Sequence, residues 1–171
     1  MVKRTTLFIF MAVFLVFQSS GFSEENKVCD FIKKSLHQFG DTKSSVISKM
    51  GKPNKLSIEE LDSMWYPGEK DYVNSLKYPG LLIETLYLFQ KENSTEYPLT
   101  VEVTSDMYTL HNGLKVGSSK EDVLSALGDP GEKSEKGEEE KYWLYTCKVE
   151  KAYFYFEGDK VTKISCQGYF P

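Results

Sequence analysis

At 171 residues, with 21 basic and 25 acidic side chains, the chain carries a net charge of −4 and fits one ordinary domain or two small ones sharing a core. Its basic residues are scattered and form no run or stripe, which excludes the electrostatic footprint of a nucleic-acid binder. Eleven Tyr and eleven Phe are many for this size and can either fill a core or make an adhesive surface.

The N-terminus reads as a secretory signal over residues 1–23. Lys3 and Arg4 precede an apolar run of 11 residues, Leu7–Phe17, and Gly21 and Ser23 stand three and one before a cut at Glu24. Eleven apolar residues are about half of the roughly 20 needed to cross a bilayer. The first cysteine, Cys29, follows the polar stretch SEENKV, so the cut carries no lipid-acceptor thiol. The remaining chain has a net charge of −6 and is expected in the periplasm or outside the cell, with no stable membrane insertion.

Cys29, Ile32, Leu36 and Phe39 then sketch an amphipathic helix that also carries His37. Next comes GDTKSSVISKMGKP, Gly40–Pro53, whose outline returns 77 positions later as GSSKEDVLSALGDP, Gly117–Pro130. Gly, Lys, Val, Ser, Gly and Pro coincide at six of 14 positions, where average composition gives roughly one. An internal repeat follows. Each copy predicts a short helix, with Thr42 or Ser119 as N-cap and Gly51 or Gly128 at the C-terminal end. Pro53 or Pro130 forbids continuation.

Strands are expected after each helix. In the first copy they are Ser63–Gly68, Leu81–Gln90 and Leu99–Ser105, with an insertion around Glu69–Gly80. In the second they are Tyr142–Val149, Lys151–Gly158 and Lys160–Cys166, preceded by the charged loop Glu132–Lys141. The predicted fold is α+β: two tandem units, 24–106 and 107–171, each a helix plus a three-stranded antiparallel sheet, with the helices packed on one face. Three cysteines suit an oxidising compartment. Cys147 with Cys166 is the preferred disulfide because both fall late in strands of one meander, while Cys29 with either stays open.

Little points to catalysis. The only histidines, His37 and His111, have no carboxylate or thiol at a motif spacing. No C-x-x-C occurs, and neither metal nor other cofactor is expected.

The block LKVGSSKEDVLSALGDP, with Trp143, Tyr145 and FYFEGDKVTKI after it, resembles the superfamily of the beta-lactamase inhibitor proteins and the SmpA/OmlA outer-membrane lipoproteins. The tandem arrangement is that of the inhibitors; the lipoproteins carry one copy and a lipid anchor. The resemblance implies a sheet whose helix-free side grips another protein. Strand alternation gives the same split by itself, with Phe154 and Phe156 inward and Tyr153 and Tyr155 outward. The expected partner-binding residues are Tyr153 and Tyr155, flanked by Trp143 and Tyr145 or their alternates Tyr142 and Leu144, and extended by Tyr66 and Tyr72. Trp65 is expected in the core by analogy with Trp143. The function so implied is an exported protein-binding module, an inhibitor of a hydrolase such as a beta-lactamase. An outer-membrane assembly factor without its lipid is the alternative.

Overall fold

A computed structural model describes residues 20–134 and 142–169; most of the expected signal sequence and most of the charged loop lie outside them. Helix α1 spans Ser20–His37, α2 Lys43–Met50 and α3 Lys120–Leu127. The strands are β1 Lys55–Asp62, β2 Lys70–Tyr78, β3 Leu81–Leu88, β4 Thr95–Val103, β5 Glu132–Lys133, β6 Tyr142–Cys147, β7 Glu150–Glu157 and β8 Lys160–Gln167. They form one sheet in the order β1-β2-β3-β4-β8-β7-β6-β5, and every neighbouring pair is antiparallel.

The expectation of two helix-plus-three-strand units is therefore corrected. Each half supplies a helix and four strands, all eight strands join one sheet, and α1 belongs to neither copy. In the second copy only the two-residue β5 was missed, its Glu132 and Lys133 expected in the charged loop; the larger error lies in the first copy. SMWYPG, expected as a strand, is the connection between β1 and β2, and its Pro67 and Gly68 act as turn residues. The supposed insertion is strand β2. Strand β1, KLSIEELD, is almost wholly exposed, so it lacks the alternation that burial of one face imposes on a sequence.

The repeat helices are capped as their sequences require. The Ser45 N–H donates to Thr42 Oγ1 at 3.1 Å, and the Asp122 N–H donates to Ser119 Oγ at 3.1 Å. Asp122 returns the favour, accepting from the Ser119 N–H at 2.7 Å and closing a capping box. That bond, with the Ser119 hydroxyl, holds the Asp122 carboxyl below the ordinary carboxylate range. Gly51 and Gly128 end the helices at φ of 80° and 83°, a region open to glycine at little cost.

Register lines up the core across the sheet. Leu76, Ile83, Val101, Cys166, Ala152 and Tyr145 form one row, and Leu81, Val103, Ile164, Phe154 and Trp143 the next. Phe31, Ile32 and Leu36 of α1, Val46 of α2, and Val123 and Leu127 of α3 join these rows in a single buried cluster spanning both halves. Its tightest aromatic link across the layers is Phe31 on Phe154, with ring centroids 5.6 Å apart. Where the first half turns polar, Glu96 supplies the answer: Oε1 accepts from the Lys43 N–H at 2.7 Å, from Asn74 Nδ2 at 3.3 Å and from Thr85 Oγ1. A carboxylate at the start of α2 thus satisfies buried Asn74 and Thr85 and complements the positive end of the helix.

The disulfide joins Cys29 to Cys147, with Cα atoms 5.0 Å apart, and Cys166 is a buried free thiol. The preferred pair Cys147–Cys166 is corrected for a geometric reason. β7 lies between β6 and β8, and two strand spacings make about 9.5 Å, beyond the roughly 7 Å a disulfide spans. Packing of α1 across β6, β7 and β8 brings Cys29 close instead.

Candidate functional site

Strand alternation sends alternate residues of β6 and β7 away from the helices. Tyr142 is registered against Tyr155, and Leu144 against Tyr153. The three phenol rings touch: centroids are 5.6 Å apart for Tyr142 and Tyr153, 5.9 Å for Tyr142 and Tyr155, and 6.3 Å for Tyr153 and Tyr155. All three are half-buried, and Leu144 beside them is buried. From β8, Lys163 Nζ lies 3.8 Å from the centre of the Tyr155 ring, a cation–π contact that steadies the ring and brings positive charge to the face. Sequence reasoning missed Lys163. Only the β7–β8 register, Tyr155 against Lys163, reveals it.

The flanking rings point the other way. Trp143 and Tyr145 are buried on the helix-covered side, and this corrects their assignment to a partner surface. Trp143 stacks on Phe156 at 4.8 Å, with Lys133 Nζ 5.3 Å from its ring. Tyr145 packs on Phe154 at 5.7 Å and donates its hydroxyl to the Gly128 carbonyl. Burial raises its pKa above that of an ordinary tyrosine. Their immediate neighbours Tyr142 and Leu144 take the open side, because a period of 2 allows one or the other.

In the first half, Tyr66 lies in the connection between β1 and β2 and is half-buried. Its ring meets Phe89 edge-on at 5.7 Å; Leu86 and Leu88, outward-facing positions of β3, are buried outside the main core cluster. Asp71, also buried, accepts from the Phe89 N–H at 2.7 Å. Tyr72 shares its side with Asn74 and Leu76 and pairs with Tyr87 at 5.9 Å, so it belongs to the helix-side surface and does not extend the tyrosine cluster. Trp65 is 62% exposed and Met64 67%. The analogy with Trp143 fails because Trp65 sits in a hairpin connection and not on a strand.

Both histidines find carboxylates that spacing did not reveal. His37 Nδ1 lies 2.7 Å from Asp41 Oδ1, in the turn after α1, and His111 Nε2 lies 3.0 Å from Asp30 Oδ2. Lys34, together with His111, holds the Asp30 carboxyl below the ordinary range. The His111–Asp30 contact fastens the connector between the halves to α1, and just beyond the helix Gln38 Nε2 donates to the Thr109 carbonyl at 2.7 Å. Of the charged loop, Glu132 and Lys133 form β5 against β6; residues 135–141 lie outside the described structure. Among the described residues no helix is long and apolar enough to cross a membrane, and no group of three or more His, Cys, Asp or Glu side chains gathers as a metal site.

No family model matches the chain, and no curated protein matches it. Among solved structures it is similar to a DUF4309 family protein, YjgB, from Bacillus subtilis subsp. subtilis str. 168, at 9% identity and a TM-score of 0.45, over 85% of this chain and 97% of that one. It is also similar to an extracellular protein containing a SCP domain from Bacillus anthracis str. Ames, at 13% identity and a TM-score of 0.45, over 75% of this chain and 43% of that one. Neither likeness assigns an activity to this chain.

Proposed function

We propose that the chain is an exported protein-binding module that grips another protein with the tyrosine-bearing side of its sheet, acting as an inhibitor of a hydrolase such as a beta-lactamase. One observation carries this reading: Tyr142, Tyr153 and Tyr155 are in mutual contact and half-exposed on the side away from the helices. Alternate residues Phe154 and Phe156 meanwhile fill the core. A strand that needs only to meet water on that side is served by Thr, Lys or Glu. Phenol rings instead offer large area, few rotors and a hydroxyl for a wet rim, which suits the centre of a protein interface. Lys163 over Tyr155 adds a cation there and favours an acidic or aromatic counterpart. Export is supported by the Cys29–Cys147 disulfide, a bond that persists in oxidising compartments, and by the apolar N-terminal run.

The direct test is titration of the protein against a class A beta-lactamase, with the Tyr153→Ala/Tyr155→Ala protein in parallel. Inhibition at micromolar concentration or below, lost in the double variant, is the expected result. No inhibition by the parent protein removes the class A beta-lactamase as the target, and equal inhibition by both proteins refutes the tyrosine face as the site.

A further inference from the structure

The two ends of the sheet differ. β5 has two residues, whereas β1 has eight, paired to β2 without a register shift and exposed almost throughout. Long edge strands are usually blunted by a proline, a bulge, a covering element or charged side chains; β1 has neither proline nor bulge, and its only such device is its charges, Lys55, Glu59, Glu60 and Asp62. The Ser63 N–H donates to the Glu69 carbonyl at 3.0 Å, in step with the β1–β2 register. The alternation of antiparallel ladders then turns the backbone groups of Lys55, Ser57, Glu59 and Leu61 inward to β2. Those of Leu56, Ile58 and Glu60 face out across the open edge.

We infer that β1 is the contact through which two copies of this chain pair, edge to edge and antiparallel, about a two-fold axis at Ser57. A two-fold contact requires a self-complementary strand, and KLSIEELD is one in this register. Lys55 lies directly opposite Glu59 of the second copy, twice. Leu56 lies opposite Ile58, also twice, and Ser57 meets its own mate. An apolar pair and an opposite-charge pair therefore face each other at the first two positions on either side of the axis. Moving two residues one way sets Leu56 against Glu60 and Lys55 against Leu61. Continuing to an axis at Glu59 sets glutamate against glutamate, and an odd shift puts each residue on the wrong side of the sheet. In the favoured register Leu56 and Ile58 exchange four backbone hydrogen bonds across the seam.

Two features of the single chain fit this partner. Leu56 and Ile58 are 44% and 51% exposed, on the side where Leu76 faces the core, and pairing brings the four side chains of the two copies together. Lys55 is registered against Lys77 within its own sheet, and among the described residues neither lysine has a carboxylate in ion-pair range. Glu59 of the second copy would stand beside that like-charged pair.

Sedimentation velocity from micromolar to millimolar protein tests the contact, with circular dichroism confirming that each variant is folded. The expected result is a reversible dimer in the parent protein. Glu59→Lys should weaken it by about tenfold or more, since two attractive pairs become repulsive, and the swap Lys55→Glu/Glu59→Lys should restore it. The Tyr153→Ala/Tyr155→Ala protein should dimerise like its parent, which separates this contact from the tyrosine face. A parent protein that is monomeric throughout, a dimer indifferent to Glu59→Lys, or a swap that fails to rescue overturns the proposal.

Discussion

The Tyr145 hydroxyl donates to the carbonyl of Gly128 at 2.9 Å, tying strand β6 to the end of helix α3. The first half makes the same bond with its own parts: Tyr78 of β2 donates to Gly51, at the end of α2, also at 2.9 Å. Gly51 and Gly128 stand 77 positions apart at matching places after their helices, so each half carries a tether from strand to helix terminus that satisfies an otherwise orphaned carbonyl. Tyr145→Phe should lower stability by about 1 kcal/mol, read from urea unfolding at constant slope. Tyr78→Phe should have a smaller effect because its ring is more exposed, and the two losses should add because the sites share no partner.

The face split of β7 predicts opposite outcomes for adjacent residues. Phe154 is fully buried between Phe31 and Tyr145, and Phe154→Ala should cost about 3 to 5 kcal/mol. Tyr153→Ala and Tyr155→Ala remove half-exposed rings and should leave the thermal midpoint within a few degrees of the parent. A collapse in stability on losing the tyrosines would mean that these rings complete a core and present no surface.

The Cys29–Cys147 disulfide links residues 118 positions apart, so it removes a large share of unfolded-chain freedom. Its loss through Cys29→Ala/Cys147→Ala should cost about 2 to 5 kcal/mol. Mass spectrometry of peptides from the unreduced protein should recover Cys29 joined to Cys147, and an alkylating reagent applied after denaturation without reductant should label Cys166 alone.

Cys166 also sets an alkaline limit. Burial pushes its thiol from 9.0 up to about 12, so the folded state holds the proton more tightly than the unfolded state. The stability this confers is complete below pH 9 and is lost as pH rises from there toward 12. Burial raises Tyr145 as well, adding a loss above pH 10. Cys166→Ala should flatten the first part of this decline in urea unfolding measured between pH 8 and 11. In the native protein at pH 8 the thiol should resist iodoacetamide.

Much of the second half was legible in the sequence because its signals are local. The Ser119 cap, the stop at Gly128 and Pro130, and the alternation of Phe154 and Phe156 with Tyr153 and Tyr155 each follow from nearest neighbours along the chain. β2 was hidden because its inward positions include Asn74 and its outward ones the buried Asp71, so polar residues interrupt the apolar rhythm on both sides. Their burial is satisfied by Lys43, Glu96 and the Phe89 N–H, partners far away in sequence. The choice of Tyr142 over Trp143 turned on one residue of register, and the disulfide on where α1 lands. Neither quantity is written in the composition of any single segment.

The strand made last, β8, sits at the middle of the sheet between β4 and β7, and only four residue pairs, Thr100–Gln167 to Val103–Ile164, stitch the halves together there. A polypeptide made from its N-terminus therefore cannot finish its sheet until almost the whole length has been synthesised. Long-range closure of this kind is slow. Meanwhile the thiol of Cys29 waits for its mate and stays open to wrong pairing, so the yield of correctly folded protein should depend on disulfide isomerisation and on shielding of the unfinished β4 margin.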